Sequence, residues 1–177
     1  MPNIWLSSDF HFGHDREFMW GPRGFNSIEE HDEEIIKRFN SVISDEDDVY
    51  VLGDLMLGNN NHGIECINRL KGKLHIVFGN HCTDTRKALY KMLPNVVETA
   101  DALRFKYNKY HFYCSHWPTL IDNFENCNRF WGLHGHTHSS NKFQFFQHCA
   151  YNVACEAHCC YPISIEQIIK DINSFGH

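Results

Sequence analysis

The chain has 177 residues, with 16 Lys and Arg against 22 Asp and Glu for a formal net charge of -6, 42% hydrophobic residues, 8 Cys and 14 His. A domain of this length buries about 70% of the surface of its unfolded chain and needs no disulfide or zinc staple. The composition excludes a disordered chain, no apolar stretch reaches the roughly 20 residues of a membrane span, and the acidic balance opposes binding to long nucleic acid. Met1 to Phe10 lacks the basic and then apolar layout of a signal peptide, so a cytoplasmic protein with reduced thiols is expected. No C-x-x-C pair occurs, which opposes a zinc ribbon.

The first apolar run of strand composition is Asn3–Ser7. Ser27-Ile28-Glu29-Glu30 then has the form of a capping box, and Ile28, Ile35, Ile36, Phe39, Val42 and Ile43 recur behind it at helical spacing. The acidic run 45–48 reads as a solvated turn before a strand at Val49–Leu52. A helix over Gly63–Leu70, a strand over Leu74–Phe78 and a helix over Arg86–Met92 follow. Further strands are expected at Tyr110–Cys114 and Phe130–Leu133, with Phe143–Phe146 and Tyr151–Cys155 as additional candidates. Ser164 with Gln167 caps a last helix over Ile165–Ile172. Alternation in the first half and strand richness in the second predict an α/β fold with a mixed sheet or two packed sheets, in one domain over 1–177.

Five of the strand runs stop at residues able to bind metal: Asp9-Phe10-His11, Gly53-Asp54, Gly79-Asn80-His81, Ser115-His116 and Gly135-His136-Thr137-His138. The carboxyl ends of strands line one edge of an α/β sheet, so these segments would deliver their side chains to one place. Gly53, Gly79 and Gly135 are expected to permit tight turns there. Asp9 with His11, and His136 with His138, are two residues apart and would point the same way from extended backbone. Asp9, His11, Asp54, Asn80, His116, His136 and His138 are too many donors for one tetrahedral ion, and mix oxygen with nitrogen. Two ions are implied, bridged by Asp54, with a water between them. His31, His62, His75, His111, His148, His158 and His177 carry no such spacing and read as structural or surface residues.

The order D-x-H, G-D, G-N-H, a lone H and G-H-x-H resembles the calcineurin-like metallophosphoesterase superfamily, in its small single-domain bacterial and phage-type members. The likeness runs on through Ser8–His14, Asp48–Asp54 and Asn152-Val153 ahead of Pro162-Ile163-Ser164. It implies a four-layer α/β/β/α sandwich with two mixed sheets. One ion would take Asp9, His11, Asp54 and His138, the other Asp54, Asn80, His116 and His136, and His81 would protonate the leaving group. A hydroxide generated between two cations would attack phosphorus in a small phosphate ester, foremost a diester such as a cyclic nucleotide. A phosphomonoesterase or phosphoprotein phosphatase is the alternative enzyme, and a non-catalytic metal-binding scaffold the alternative class. Mn is the expected ion, while Fe, Zn, Ni and Co also suit the donors.

Cys82 stands where the family usually carries Asp or Glu after G-N-H, so either Asp84 orients His81 instead or His81 is less firmly held. His14 and Arg23 follow the first strand and are candidates for substrate-phosphate contacts. Phe12, Phe18, Trp20 and Trp117 are candidates for stacking on a base, and His134 is expected to stay off the ions.

Overall fold

A computed structural model describes residues 2–119, 121, 129–144 and 149–175. The chain runs through β1 (Ile4–Ser7), α1 (Glu17–Trp20), α2 (Ile28–Val42), β2 (Asp48–Leu52), α3 (Asn60–Asn68), β3 (Lys73–Val77), α4 (Asp84–Tyr90) and β4 (Val96–Ala100). It continues with β5 (Ala102–Tyr107), β6 (Tyr110–Ser115), β7 (Phe130–His134), β8 (Ala150–Asn152), β9 (Ile163–Ser164) and α5 (Ile165–Phe175). The first sheet has the order β4-β3-β2-β1-β9, in which β1 to β4 are parallel and β9 is antiparallel. Parallel neighbours need crossovers, which α2, α3 and α4 supply. The second sheet has the order β5-β6-β7-β8, with a β5–β6 hairpin and parallel β6, β7 and β8.

Val49 and Val51 of β2 and Leu74 and Ile76 of β3 face Ile35 and Phe39 of α2, Ile67 of α3 and Tyr90 of α4. The alternate residues Leu52 and Val77, with Leu6, face Phe112, Cys114, Leu133 and Tyr151 of the second sheet. Both faces of β2 and β3 are therefore buried, which is why these strands read as continuous apolar runs. Helix α5 joins the second core through Ile165, Ile168 and Ile172. It is tied to the second sheet by Tyr110 Oη donating to Asn173 at 2.6 Å and Tyr151 Oη donating to Asp171 at 2.6 Å. The layer order is α/β/β/α, with two mixed sheets.

Local chemistry sets the helix starts. Ser27 Oγ accepts from the Glu30 amide at 3.2 Å, as the capping box predicts. Helix α3 begins at Asn60 rather than Gly63, because the Asn59 side chain accepts from the Asn61 and His62 amides. Helix α4 begins at Asp84 behind a Thr83 cap. Strands β4 and β5 were not predicted; both are edge strands with several exposed side chains. Phe143 lies in a turn, Phe145, Phe146, His148 and His177 lie outside the described residues, and Cys155 opens a 3-10 turn over Cys155–His158. Cys149 is disulfide-bonded, an exception to the expected reduced thiols, while Cys66, Cys82, Cys114, Cys155, Cys159 and Cys160 are free. No helix among the described residues is long and apolar enough to cross a membrane.

Candidate metal centre

Because β1, β2 and β3 are parallel, as are β6 and β7, the segments that follow them leave from the same end of each sheet. Asp9 N donates to Gly53 O at 3.1 Å and His11 N to Asp54 O at 3.0 Å, while a bridge between Ser8 and Ala154 ties the two sheets together. The expected extended backbone is not what aligns the paired residues. Asp9, His11, Asp54, His136 and His138 have φ of 61°, 55°, 50°, 66° and 47°, in the left-handed region. Asp and His tolerate this region better than most residues, and each such turn swings a short side chain inward at a cost of about 1 kcal/mol or more. Of the three glycines, Gly53 alone has positive φ, at 94°. Gly79 and Gly135 are needed for space instead, since a Cβ on Gly79 would collide with Asp54 Oδ1 and one on Gly135 with Ser8 Oγ and Asp9 Oδ2.

All seven predicted ligands converge. His11 Nε2 and His138 Nε2 lie 3.2 Å apart, and each is 3.8 Å from Asp9 Oδ1. Asp54 Oδ2 is 3.9 Å from His11 Nε2 and 3.3 Å from His116 Nε2, so one oxygen faces two groups of donors. In the second group, Asn80 Oδ1 is 2.8 Å from His116 Nε2 and 2.9 Å from His136 Nδ1, and the two ring nitrogens are 3.2 Å apart.

The outward atoms of these side chains are already engaged. His116 Nδ1 donates to Leu52 O at 2.8 Å and His138 Nδ1 donates to Glu156 Oε1 at 2.8 Å, which aims both Nε2 atoms at the cluster. The His136 amide donates to Asp9 Oδ2 at 3.0 Å and the His81 amide to Asp54 Oδ1 at 3.0 Å, leaving the opposite carboxylate oxygens facing inward. Asp9 Oδ1 is buried with no hydrogen-bond partner among the described residues, and opposed ring nitrogens at 3.2 Å cannot both be bare without a cation or proton between them. Burial raises the Asp9 carboxyl and pushes the His11 imidazole down to about 2. Burial would raise Asp54 too, but its hydrogen bond and charge interaction with His116 hold it below the usual carboxylate range. Imidazole, amide and carboxylate donors form a set suited to divalent first-row ions.

His81 stands at the rim, with its side chain 39% exposed and Nε2 3.9 Å from Asp54 Oδ2. Its main chain holds it: the amide bonds Asp54, and the carbonyl accepts from Arg86 Nη1 at 2.8 Å. Neither Cys82 nor the expected helper Asp84 is hydrogen-bonded to the ring among the described residues. Cys82 is buried and accepts from the Gly79 amide at 3.2 Å. His14 lies beside His11 with ring centroids 5.7 Å apart, and burial lowers its pKa.

Arg23 is turned into the protein. Its side chain is 1% exposed, and the guanidinium donates to Glu156, to the carbonyls of Phe10 and Asp9, and to His31 Nε2. With every direction taken by protein acceptors, it braces the β1 loop and orients Glu156. Sequence reasoning missed Glu156, which lies 18 positions after His138 outside any motif. Of the aromatic candidates, Phe12 is buried and Trp20 packs against the core, whereas Phe18, 69% exposed, meets His14 at 5.5 Å and Trp117, 47% exposed, meets His116 at 5.2 Å. His134 is buried, with Nδ1 donating to Gly135 O at 2.9 Å.

A family model described as calcineurin-like phosphoesterase matches residues 2–171. An uncharacterised protein of Methanocaldococcus jannaschii is 32% identical over 178 aligned positions, covering 96% of this chain and 91% of that protein. Among solved structures, a protein of unknown function from Aquifex aeolicus superposes with a TM-score of 0.73 at 21% identity, over 96% of this chain and 99% of its own. A structure described as a novel archaeal phosphodiesterase superposes with a TM-score of 0.51 at 16% identity, over 88% and 86%. The two superpositions speak for the fold.

Proposed function

Because the chain belongs to the calcineurin-like phosphoesterase family and is a metal-dependent hydrolase of phosphate esters, we propose that it cleaves a small phosphodiester, such as a nucleotide or cyclic nucleotide, at a two-ion centre in the cytoplasm. The single observation carrying this is Asp54 Oδ2, which faces two groups of oxygen and nitrogen donors at once. One group is Asp9, His11, Asp54 and His138, the other Asp54, Asn80, His116 and His136. Two divalent ions held there supply an activated water and neutralise charge on the phosphate; Mn suits the donor set.

The remaining work falls to side chains at the rim. His81 is partly exposed, with Nε2 facing the cluster, and delivers a proton to the departing oxygen. His14 sits where it can donate to a phosphate oxygen. Phe18 and Trp117 offer exposed ring faces to a base. With Arg23 spent on protein partners, His14 is the one of the two expected phosphate contacts still available, which suits the singly charged diester.

The test is hydrolysis of bis-p-nitrophenyl phosphate beside p-nitrophenyl phosphate by Mn-loaded protein, with ion content measured by plasma mass spectrometry. Expected are diester preference, two ions per chain in that centre, and loss of hydrolysis in Asp54→Ala. Monoester preference would make it a phosphomonoesterase, and no cleavage with any divalent ion would leave a metal-binding scaffold.

A further inference from the structure

A second cluster of ligand-type side chains joins helices α2 and α3. His62 and Cys66 are four residues apart on α3 and so project from one face. His62 Nε2 lies 3.5 Å from Cys66 Sγ and 2.7 Å from Oδ2 of Asp32, which α2 carries into the interior at 2% exposure. One donor atom from each of the three residues lies within 4.8 Å of the others. We infer that Asp32, His62 and Cys66 form a site for a single thiophilic divalent ion of the zinc type, separate from the centre at the strand ends.

The donor chemistry selects the ion. Imidazole nitrogen, thiolate sulfur and carboxylate oxygen together suit tetrahedral zinc, with the fourth position left to water. The 3.5 Å nitrogen–sulfur separation already matches two ligands of a tetrahedral ion with bonds of about 2.1 and 2.3 Å. The nitrogen–oxygen pair must open by about half an ångström to match the same geometry, a movement available to the His62 side chain, which is 46% exposed. That exposure also gives the ion a way in from solvent.

The carboxylate is oriented from behind, as ligands of bound metals are. Asp32 Oδ1 accepts from His31 Nδ1 at 2.7 Å, and His31 Nε2 accepts from Arg23 Nη1 at 2.8 Å. Cys66 is buried with its thiol pushed up to about 12, so binding expels the thiol proton to solvent and occupancy falls as pH falls. Asp32 Oδ2 also accepts from the Gly13 amide at 2.9 Å, which places this ion one hydrogen bond from the segment carrying His11 and His14.

Cobalt titration of chelator-treated protein tests the site, because a thiolate ligand gives a near-ultraviolet sulfur-to-cobalt charge-transfer band that the sulfur-free centre at the strand ends cannot produce. The band is expected in wild type and in Asp54→Ala, and absent from Cys66→Ser and His62→Ala, with ion content lower by one per chain in the latter two. His62 is exposed, so its replacement keeps the test decisive if Cys66→Ser does not fold. Wild type without the band, or a band surviving either substitution, overturns the site, whatever the protein hydrolyses.

Discussion

Glu156 and His138 are joined by a 2.8 Å hydrogen bond from Nδ1 to Oε1, and the same oxygen takes the Arg23 guanidinium at 2.6 Å. Burial alone would raise the Glu156 carboxyl, but His138 and Arg23 bring it down to about 2, so it is ionised wherever the protein is folded near neutral pH. An ionised partner fixes the imidazole tautomer and strengthens Nε2 as a donor. Glu156→Gln should therefore weaken Mn affinity or diester hydrolysis by roughly 10 to 100-fold. Calorimetric Mn titration reads this directly, and unchanged affinity with unchanged turnover would remove Glu156 from the site.

His81 is anchored through its backbone, so His81→Ala should leave ion content unchanged and remove proton delivery. A loss of about 10² to 10⁴-fold in kcat is expected for an ester with a poor leaving alcohol, and much less for p-nitrophenolate, which departs without a proton. Equal losses for both leaving groups would show that His81 acts in some other way.

Gly79 and Gly135 face carboxylate ligands at distances that admit no side chain. Gly79→Ala and Gly135→Ala should each cost about 1 to 3 kcal/mol of stability and displace Asp54 or Asp9. Thermal unfolding with and without Mn separates the two effects: the variants should melt earlier than wild type and gain less from added ion. Wild-type melting and gain in either variant would mean that the backbone yields freely.

His158 is half-buried beside the Tyr151 ring and donates to Asn152 O at 2.9 Å; burial pushes its pKa down to about 4. Its unfolded value is near 6.5, so between these values the unfolded chain binds more protons and stability falls as pH is lowered from about 6.5 to about 4, by at most about 3 kcal/mol. Urea unfolding of chelator-treated protein at pH 7.5 and pH 5 should show this loss in wild type and a smaller one in His158→Gln. Parallel losses would assign the acid limb to other groups.

The convergence of the seven proposed ligands was legible because each sits just behind an apolar strand, so one-dimensional order reports a shared edge. What brings Asp9 and His11, or His136 and His138, to bear was not legible, since left-handed backbone leaves no mark in residue spacing. Strands β4 and β5 were missed for a related reason: Val96–Ala100 and Ala102–Tyr107 lie at sheet edges, where exposed Glu98, Arg104 and Lys106 break up the apolar signal. Glu156 and Asp32 act through contacts across 18 and 30 positions with His138 and His62, distances at which a single chain gives no covariation to read. Arg23 follows the short helix α1 and its side chain is buried against Glu156, because sequence fixes the reach of a guanidinium and burial decides what it meets.

Every proposed ligand leaves from the carboxyl end of β1, β2, β3, β6 or β7, so the proposed chemistry is gathered at one end of the strands. The β5–β6 hairpin turns at Asn108 and Lys109, at the far end of β6 from His116. A fluorophore or affinity tag inserted there would ride on the exposed tip of an edge hairpin, about 20 Å of strand away from the ions. The polarity that concentrates chemistry at one rim thus leaves the opposite rim available as a handle.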